Sequence, residues 1–369
     1  VSVGRRIFRV SAGAAGLLAG AAVAGTAVQA VRRRRIIARR GAGDAIALGS
    51  LHSDPVTVVA DDGVPLHVEI DEYAAPTGTH RDMESDAEQL TLVFVHGYAL
   101  SLDCWHFQRA GYRELVRAVY YDQRSHGRSG RSSAKNATIE QLGEDLLQVM
   151  DQVVPEGRVV LVGHSMGGMS IVALAEAHPE LFGDRIAGVA LISTTAGGLK
   201  PHRILLPLMP RALGGLGGQA TTRLIAALAR GARVVDGVRR LGKDFAVVAT
   251  DRFAFGSDVP GDYVTFVDEM LSATPFEVLA EFFPSFDALD KFAVMAAFER
   301  IPLSIICGTA DKLTSVGHSR KMHTLLPNSR LVELEDAGHM VIMERHVQVN
   351  AALDELLAEA AEHERNGEP

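Results

Sequence analysis

The segment Gly163-His164-Ser165-Met166-Gly167 constrains this chain more than any other. It follows the apolar run Arg158-Val159-Val160-Leu161-Val162 and opens an amphipathic stretch from Gly168 to His178. A buried strand must therefore turn directly into a helix, with small residues two positions either side of a serine. Such a turn is too tight for side chains at those two positions. It lifts the serine hydroxyl clear of the backbone above the N-terminus of the following helix, which is the geometry of a nucleophile elbow.

A serine hydroxyl is a poor nucleophile at neutral pH and needs a base, which in turn needs an acid to orient it. Both follow downstream. The strand Leu303-Ser304-Ile305-Ile306-Cys307-Gly308 runs into a loop holding Asp311, and the strand Arg330-Leu331-Val332-Glu333-Leu334 runs into Asp336-Ala337-Gly338-His339-Met340. Ser165, Asp311 and His339 all lie just past strand ends, where open α/β sheets place reactive groups. Asp287 and Asp290 are alternative acids in a helical context. His323 and His346 compete with His339 but sit in helical patterns that predict solvent-facing side chains. Upstream, Leu92-Val93-Phe94-Val95 ends in His96-Gly97-Tyr98, a turn able to aim a backbone N–H into the same crevice, with His96 as a brace. The variable elbow position, His164, receives no role.

Strand patterns alternate with helical ones along the rest of the chain. Val56–Ala60 and Leu66–Ile70 flank the turn Asp61-Asp62-Gly63, and further strands are expected at Ala118–Tyr121 and Ile186–Ile192. Apolar residues at Ile139, Leu142, Leu146, Val149 and Met150 give helical spacing over 139–153, and a closing helix is expected over 341–357. This alternation predicts an α/β fold with a mostly parallel sheet covered on both faces. Between residues 199 and 298 it gives way to helical patterns.

These residues carry a family resemblance. From about Val56 to Leu357 the chain resembles the α/β-hydrolase superfamily, in its cap-bearing branch of esterases, haloperoxidase-like enzymes and carbon–carbon bond hydrolases. The likeness rests on His96-Gly97-Tyr98, on Asp122-Gln123-Arg124-Ser125-His126-Gly127-Arg128-Ser129, on the elbow, and on Asp311 and His339. It implies Ser165 as nucleophile, His339 as general base, Asp311 as its orienter, and the backbone N–H groups of Tyr98 and Met166 as the oxyanion hole. It implies a helical cap over about 199–298, whose Phe253, Phe255, Phe266, Met270, Phe282, Phe283 and Phe286 could line an acyl-sized pocket. Serine at the nucleophile position disfavours the epoxide-hydrolase and dehalogenase branches, which carry aspartate there. The expected reaction is hydrolysis of a carboxylic ester of a small to medium apolar acid. Carbon–carbon bond hydrolysis or perhydrolysis would use the same three residues. A binding protein that keeps the fold with slow turnover is the reading from outside enzymology.

Composition bounds the partners. The only cysteines, Cys104 and Cys307, lie in separate segments and form neither a metal-ligand pattern nor a disulfide framework. No metal, no dinucleotide or P-loop fingerprint and no organic cofactor is expected. Residues 1–40 hold nine arginines and no acid, so the chain's net −8 leaves −17 on the remainder. An acidic folded part argues against nucleic acid as a partner.

The basic end encloses residues 10–31, twenty-two positions without a charge. As a helix these would extend ~33 Å, enough to cross a hydrocarbon core of ~30 Å. Six arginines follow the run and three precede it, so the catalytic part is expected on the cytoplasmic side of a single-pass anchor. Arg5-Arg6-Ile7-Phe8 supports a second reading, a twin-arginine export signal cleaved after Val28-Gln29-Ala30. The resulting division is 1–50 as a basic anchor segment, 51–362 as the hydrolase domain with its cap, and 363–369 as a tail.

Overall fold

The computed structural model of the protein describes residues 32–41, 46–74, 90–199 and 247–365. Eight strands form one sheet: β1 Pro55–Val59, β2 Pro65–Asp71, β3 Thr91–Val95, β4 Ala118–Tyr121, β5 Val159–His164, β6 Ile186–Ile192, β7 Leu303–Gly308 and β8 Arg330–Leu334. Their order is β1-β2-β4-β3-β5-β6-β7-β8. Strand β2 is antiparallel to both its neighbours, and every other pairing is parallel. The expected turn at Asp61-Asp62-Gly63 joins β1 to β2, with Gly63 at φ +84°.

Ten helices are used below: α1 (32–38), α2 His106–Tyr112, α3 Ile139–Val153, α4 Met166–Ala177, α5 (247–254), α6 Gly261–Ala273, α7 Phe276–Ala288, α8 Val316–Leu325, α9 Val341–Glu344 and α10 His346–Arg365. Side chains alternate across the sheet as period-two geometry requires. Leu92 and Phe94 enter one core with Trp105, Tyr112, Leu353 and Leu356. Val93 and Val95 enter the opposite core with Leu146, Val149, Ile171 and Met322. Helices therefore cover both faces, and the inner strands β3 to β7 are buried along their whole length. Helix α3 starts where its pattern starts because the Thr138 hydroxyl accepts from the Gln141 N–H at 3.2 Å.

Three expectations need correction. The closing helix is broken at Arg345, into α9 and an α10 that runs to Arg365, past the boundary drawn at residue 362. The cap ends earlier than residue 298. Met295 and Phe298 lie in the same core as β7, with the Phe298 ring 5.0 Å from that of Phe182. Residues 200–246 of the expected cap lie outside the described residues; α5, α6 and α7 represent it here. The basic segment, finally, does not stop at residue 50 as a separate unit. Ile37 is 1% exposed and sits in the first core beside Val264 and Val267 of α6. The expected spanning segment, 10–31, lies outside the described residues. Among the described residues no helix is long and apolar enough to cross a membrane.

Candidate active site

Ser165 occupies the turn between β5 and α4 with φ +52° and ψ −116°, backbone that an L-residue adopts at a cost. The flanking glycines are required by close contact. A Cβ on Gly163 would lie 2.6 Å from Ile171 Cδ1, and one on Gly167 would overlap the carbonyl of Val95. The serine is thus wedged between β3, β5 and its own helix, and only 9% exposed.

The structure brings Asp311 and His339 to it from the loops after β7 and β8. The Ser165 hydroxyl lies 3.0 Å from His339 Nε2, and His339 Nδ1 lies 2.9 Å from Asp311 Oδ2. With Nδ1 protonated toward the carboxylate, Nε2 is left to accept from the serine. The two loops are also joined through the backbone, where the Ala310 N–H donates to the Ala337 carbonyl at 2.9 Å. Burial on its own pushes the Asp311 carboxyl up. The neighbouring His339, the Leu313 N–H and the Thr314 hydroxyl outweigh that and hold it below the ordinary carboxylate value. The alternatives Asp287 and Asp290 are exposed and lie outside this constellation. His323 and His346 are engaged elsewhere and only half exposed: His323 meets the Ser329 hydroxyl, and His346 stacks on Phe107 with rings 4.1 Å apart.

The amide of Met166 is the first of α4, directly after the serine. Tyr98 stands on the turn after β3, which is pressed against the elbow: a Cβ on Gly97 would come within 3.1 Å of Ser165 Cβ. That turn is braced by His96. Its Nε2 accepts from the Gln123 N–H at 2.9 Å, and the Gln123 side chain donates to the His96 carbonyl at 2.6 Å. Gln123 Oε1 in turn accepts from the Ser170 hydroxyl of α4 at 2.9 Å, so two loops and α4 share one network. Burial keeps His96 neutral, its pKa lowered to about 4.

The Asp122–Ser129 stretch is scaffold for these loops. The Asp122 carboxylate accepts from the Leu102 and Arg128 N–H groups, both at 2.7 Å, and Arg124 is fully buried against Asp145. Gly127 at φ +51° leaves room for that carboxylate, which a β-carbon would overlap. The cap closes over this end of the sheet. The Tyr98 hydroxyl donates to the Leu279 carbonyl of α7, and the Tyr98 ring meets Phe286 edge-on at 4.9 Å. Phe282 lies 5.5 Å from the His126 ring. Of the seven apolar cap residues expected to line a pocket, Phe282 and Phe286 thus stand beside the Tyr98 turn. Phe255 is committed to the first core instead.

Four residues that hold the site had no sequence signal specific enough to single them out. Thr314 donates to Asp311 Oδ2 or to the Ser193 carbonyl, at 2.9 and 2.7 Å. His164, from within the elbow, reaches the His339 carbonyl at 2.9 Å through Nε2. Gln123 makes the bridge described above. Glu344 accepts from the N–H groups of Gly338 (2.7 Å), Gly256 (3.1 Å) and Ser257 (2.7 Å), and from the Ser257 hydroxyl at 2.5 Å. One buried carboxylate therefore joins the His339 loop to the cap.

Comparison with known proteins agrees with this architecture. The model of the alpha/beta hydrolase family matches residues 92–352. Among curated proteins, the chain is 25% identical over 264 residues to the dihydrolipoyllysine-residue acetyltransferase component of the acetoin cleaving system of Pseudomonas putida. That match covers 70% of this chain and 61% of that protein, so less than two thirds of the relative's length is shared. Among solved structures, the enol-lactonase of Burkholderia xenovorans superposes with a TM-score of 0.59 at 25% identity, covering 82% of this chain and 100% of the lactonase. A thermophilic esterase of Thermogutta terrifontis gives 0.61 at 21% identity, over 84% and 100% of the two chains, and attests the fold.

Proposed function

The chain belongs to the alpha/beta hydrolase family, and from that premise we propose that it is a serine hydrolase acting on carboxylic esters of small to medium apolar acids. The observation that carries the reading is the continuous relay from Ser165 Oγ to His339 Nε2 at 3.0 Å and from His339 Nδ1 to Asp311 at 2.9 Å. Ser165 attacks the substrate carbonyl as His339 removes its proton. The buried carboxylate of Asp311 stabilises the imidazolium that forms and fixes its tautomer. The backbone N–H groups of Met166 and Tyr98 receive the developing oxyanion, a contribution of about 3 kcal/mol per donor in sites of this kind. His339 returns the proton to the departing alcohol, and water repeats the sequence on the acyl-enzyme. The residues supply every proton transfer this chemistry needs.

An ester is favoured because Phe282 and Phe286 bring apolar surface to the Tyr98 turn, and because the enol-lactonase, whose name describes a cyclic ester substrate, is among the similar structures. The test is labelling by a fluorophosphonate probe followed by a screen of acyl-chain lengths. Labelling lost in Ser165→Ala, with turnover of p-nitrophenyl esters in the parent, is the expected result. Slow or absent turnover of every ester, with tight reversible binding of apolar ligands, would identify a binding protein instead. Cleavage of carbon–carbon bonds or peracid formation exceeding ester turnover would move the reaction class while keeping the triad.

The uncharged run 10–31 completes the proposal: the enzyme is held to the cell membrane by one spanning helix, with its catalytic part on the cytoplasmic side. Retention in the membrane pellet after carbonate washing, with an intact N-terminus, is expected. A mature N-terminus at Val31 in the secreted fraction would replace the anchor with twin-arginine export.

A further inference from the structure

The arginine segment that follows residue 31 is docked on the cap, and its charges are sorted by helix face. Arg33, Ile37 and Arg40 are spaced i, i+4, i+7, on one side of α1 and its final turn. Ile37 is buried against α6, where a Cβ on Gly261 would overlap the Ile37 carbonyl, so only glycine allows this approach. Arg33 and Arg40 both pair with Asp251 of α5, at 3.0 and 2.6 Å, and Arg40 also reaches Asp258 at 2.6 Å. The Asp251 side chain is 6% exposed, so its two pairs are partly desolvated, whereas Asp258 is an exposed partner. The opposite side presents Arg32, Arg35 and Arg39, spaced i, i+3, i+7 and all exposed, with Ile36 52% exposed at their margin.

We propose that α1 is a two-faced strap, with one face gripping the cap and the other seating on anionic lipid headgroups. The cap end of the molecule, and with it the Ser165 crevice, is thereby turned toward the bilayer. This rests on the reading of 10–31 as a membrane anchor. The choice of lipid over other polyanions follows from position, since Arg32 directly follows the uncharged run and a strap only seven residues long leaves the cap close to the headgroup plane. Docking on α5 also places the bilayer on the catalytic side of the sheet. The Met340 N–H donates to the Ala254 carbonyl at 2.8 Å, and Glu344 ties residues 256–257 to Gly338. An apolar ester dissolved in the membrane would then enter from the lipid side. The grip and the headgroup face act through different residues, so each can be removed separately.

The experiment uses the full chain in vesicles of phosphatidylcholine, with and without one-third phosphatidylserine. Cys104 and Cys307 are buried, which leaves a single introduced cysteine as the reactive label site. One fluorophore is placed by Arg252→Cys, on α5, and another by Asp184→Cys, at the far end of the sheet before β6. Nitroxide lipids labelled at the headgroup should quench the label at position 252 several-fold more than the label at 184, and most strongly with the anionic lipid. Arg32→Gln/Arg35→Gln/Arg39→Gln should remove the dependence on phosphatidylserine. Arg33→Ala/Arg40→Ala should reduce quenching at 252 without releasing protein from the carbonate pellet. Equal quenching at both positions, in protein that stays in the pellet, overturns this inference and leaves the anchor standing. Protein lost from the pellet removes the anchor. The strap's headgroup face is then judged by cosedimentation: binding only to anionic vesicles supports it, and no binding overturns it.

Discussion

Ser165 holds a backbone conformation that costs about 1–3 kcal/mol, and the structure over-determines it through Gly163, Gly167 and the first turn of α4. Ser165→Ala should keep the fold and abolish probe labelling, with turnover falling by about three orders of magnitude or more, since members of a triad act as a unit. His339→Ala should match it, and full activity in either variant would remove the assignment. Asp311→Asn should cost about two to four orders of magnitude, because an amide at this place favours the wrong imidazole tautomer. A neutral outcome would reopen Asp287 and Asp290 as acids. Glu344→Gln tests a less obvious residue. An amide nitrogen would face either the Gly338 and Gly256 N–H groups, which share one carboxylate oxygen, or the Ser257 N–H and hydroxyl on the other, so a loss of about 1–3 kcal/mol in urea melts is expected. A drop of roughly tenfold in kcat should accompany it as the His339 loop loosens. An unchanged kcat with lowered stability would make Glu344 structural only.

Among the elements, α7 and the segment 254–257 carry the cap's contribution. Phe286 meets the Tyr98 ring and Phe282 meets His126, so Phe286→Ala should open space beside the Tyr98 turn. A preference shifted toward longer acyl chains in the ester screen is expected, together with destabilisation of about 3 kcal/mol. Unchanged selectivity would place the acyl group elsewhere. Removing the whole of 199–298 would be a poor test of a lid. Phe255, Tyr263, Val264 and Val267 share a core with Phe94 and Trp105, and Phe298 belongs to the core beneath β7. The excised chain should precipitate on expression. The helical pattern of this region was legible from sequence, but its division between cap and core was not. An apolar residue at helical spacing reads the same whichever layer receives it.

For the whole molecule, buried imidazoles set the response to acid. Burial lowers His96 to about 4, and His126 and His164 to about 3, while it pushes Asp122 up to about 6. A depressed histidine stabilises the fold above its unfolded value near 6.5, and that contribution is lost as pH falls through the folded value. Asp122 works in the opposite sense, its contribution being present below its unfolded value near 3.8 and lost as pH rises through about 6. The shifts correspond to roughly 3–5 kcal/mol each, largest for His126 and His164, so three histidines outweigh one aspartate. The urea midpoint should therefore fall steadily from pH 7 to pH 4, and His126→Gln should flatten that slope; a flat parent profile would contradict the buried neutral rings. The sequence by itself determined the strand–turn–serine–helix unit, the order Ser165, Asp311, His339 and the two-sided sheet. Side-chain period and turn sterics act within a few residues and leave a readable pattern. Only the tertiary structure decided the grip of Arg40 on Asp251, 211 residues apart, the tie from Glu344 to Gly256 across 88, and the reach of His164 to the His339 carbonyl across 175. Those partners meet because the sheet brings loop ends together, and no local periodicity records which distant loop end a carboxylate or imidazole will face.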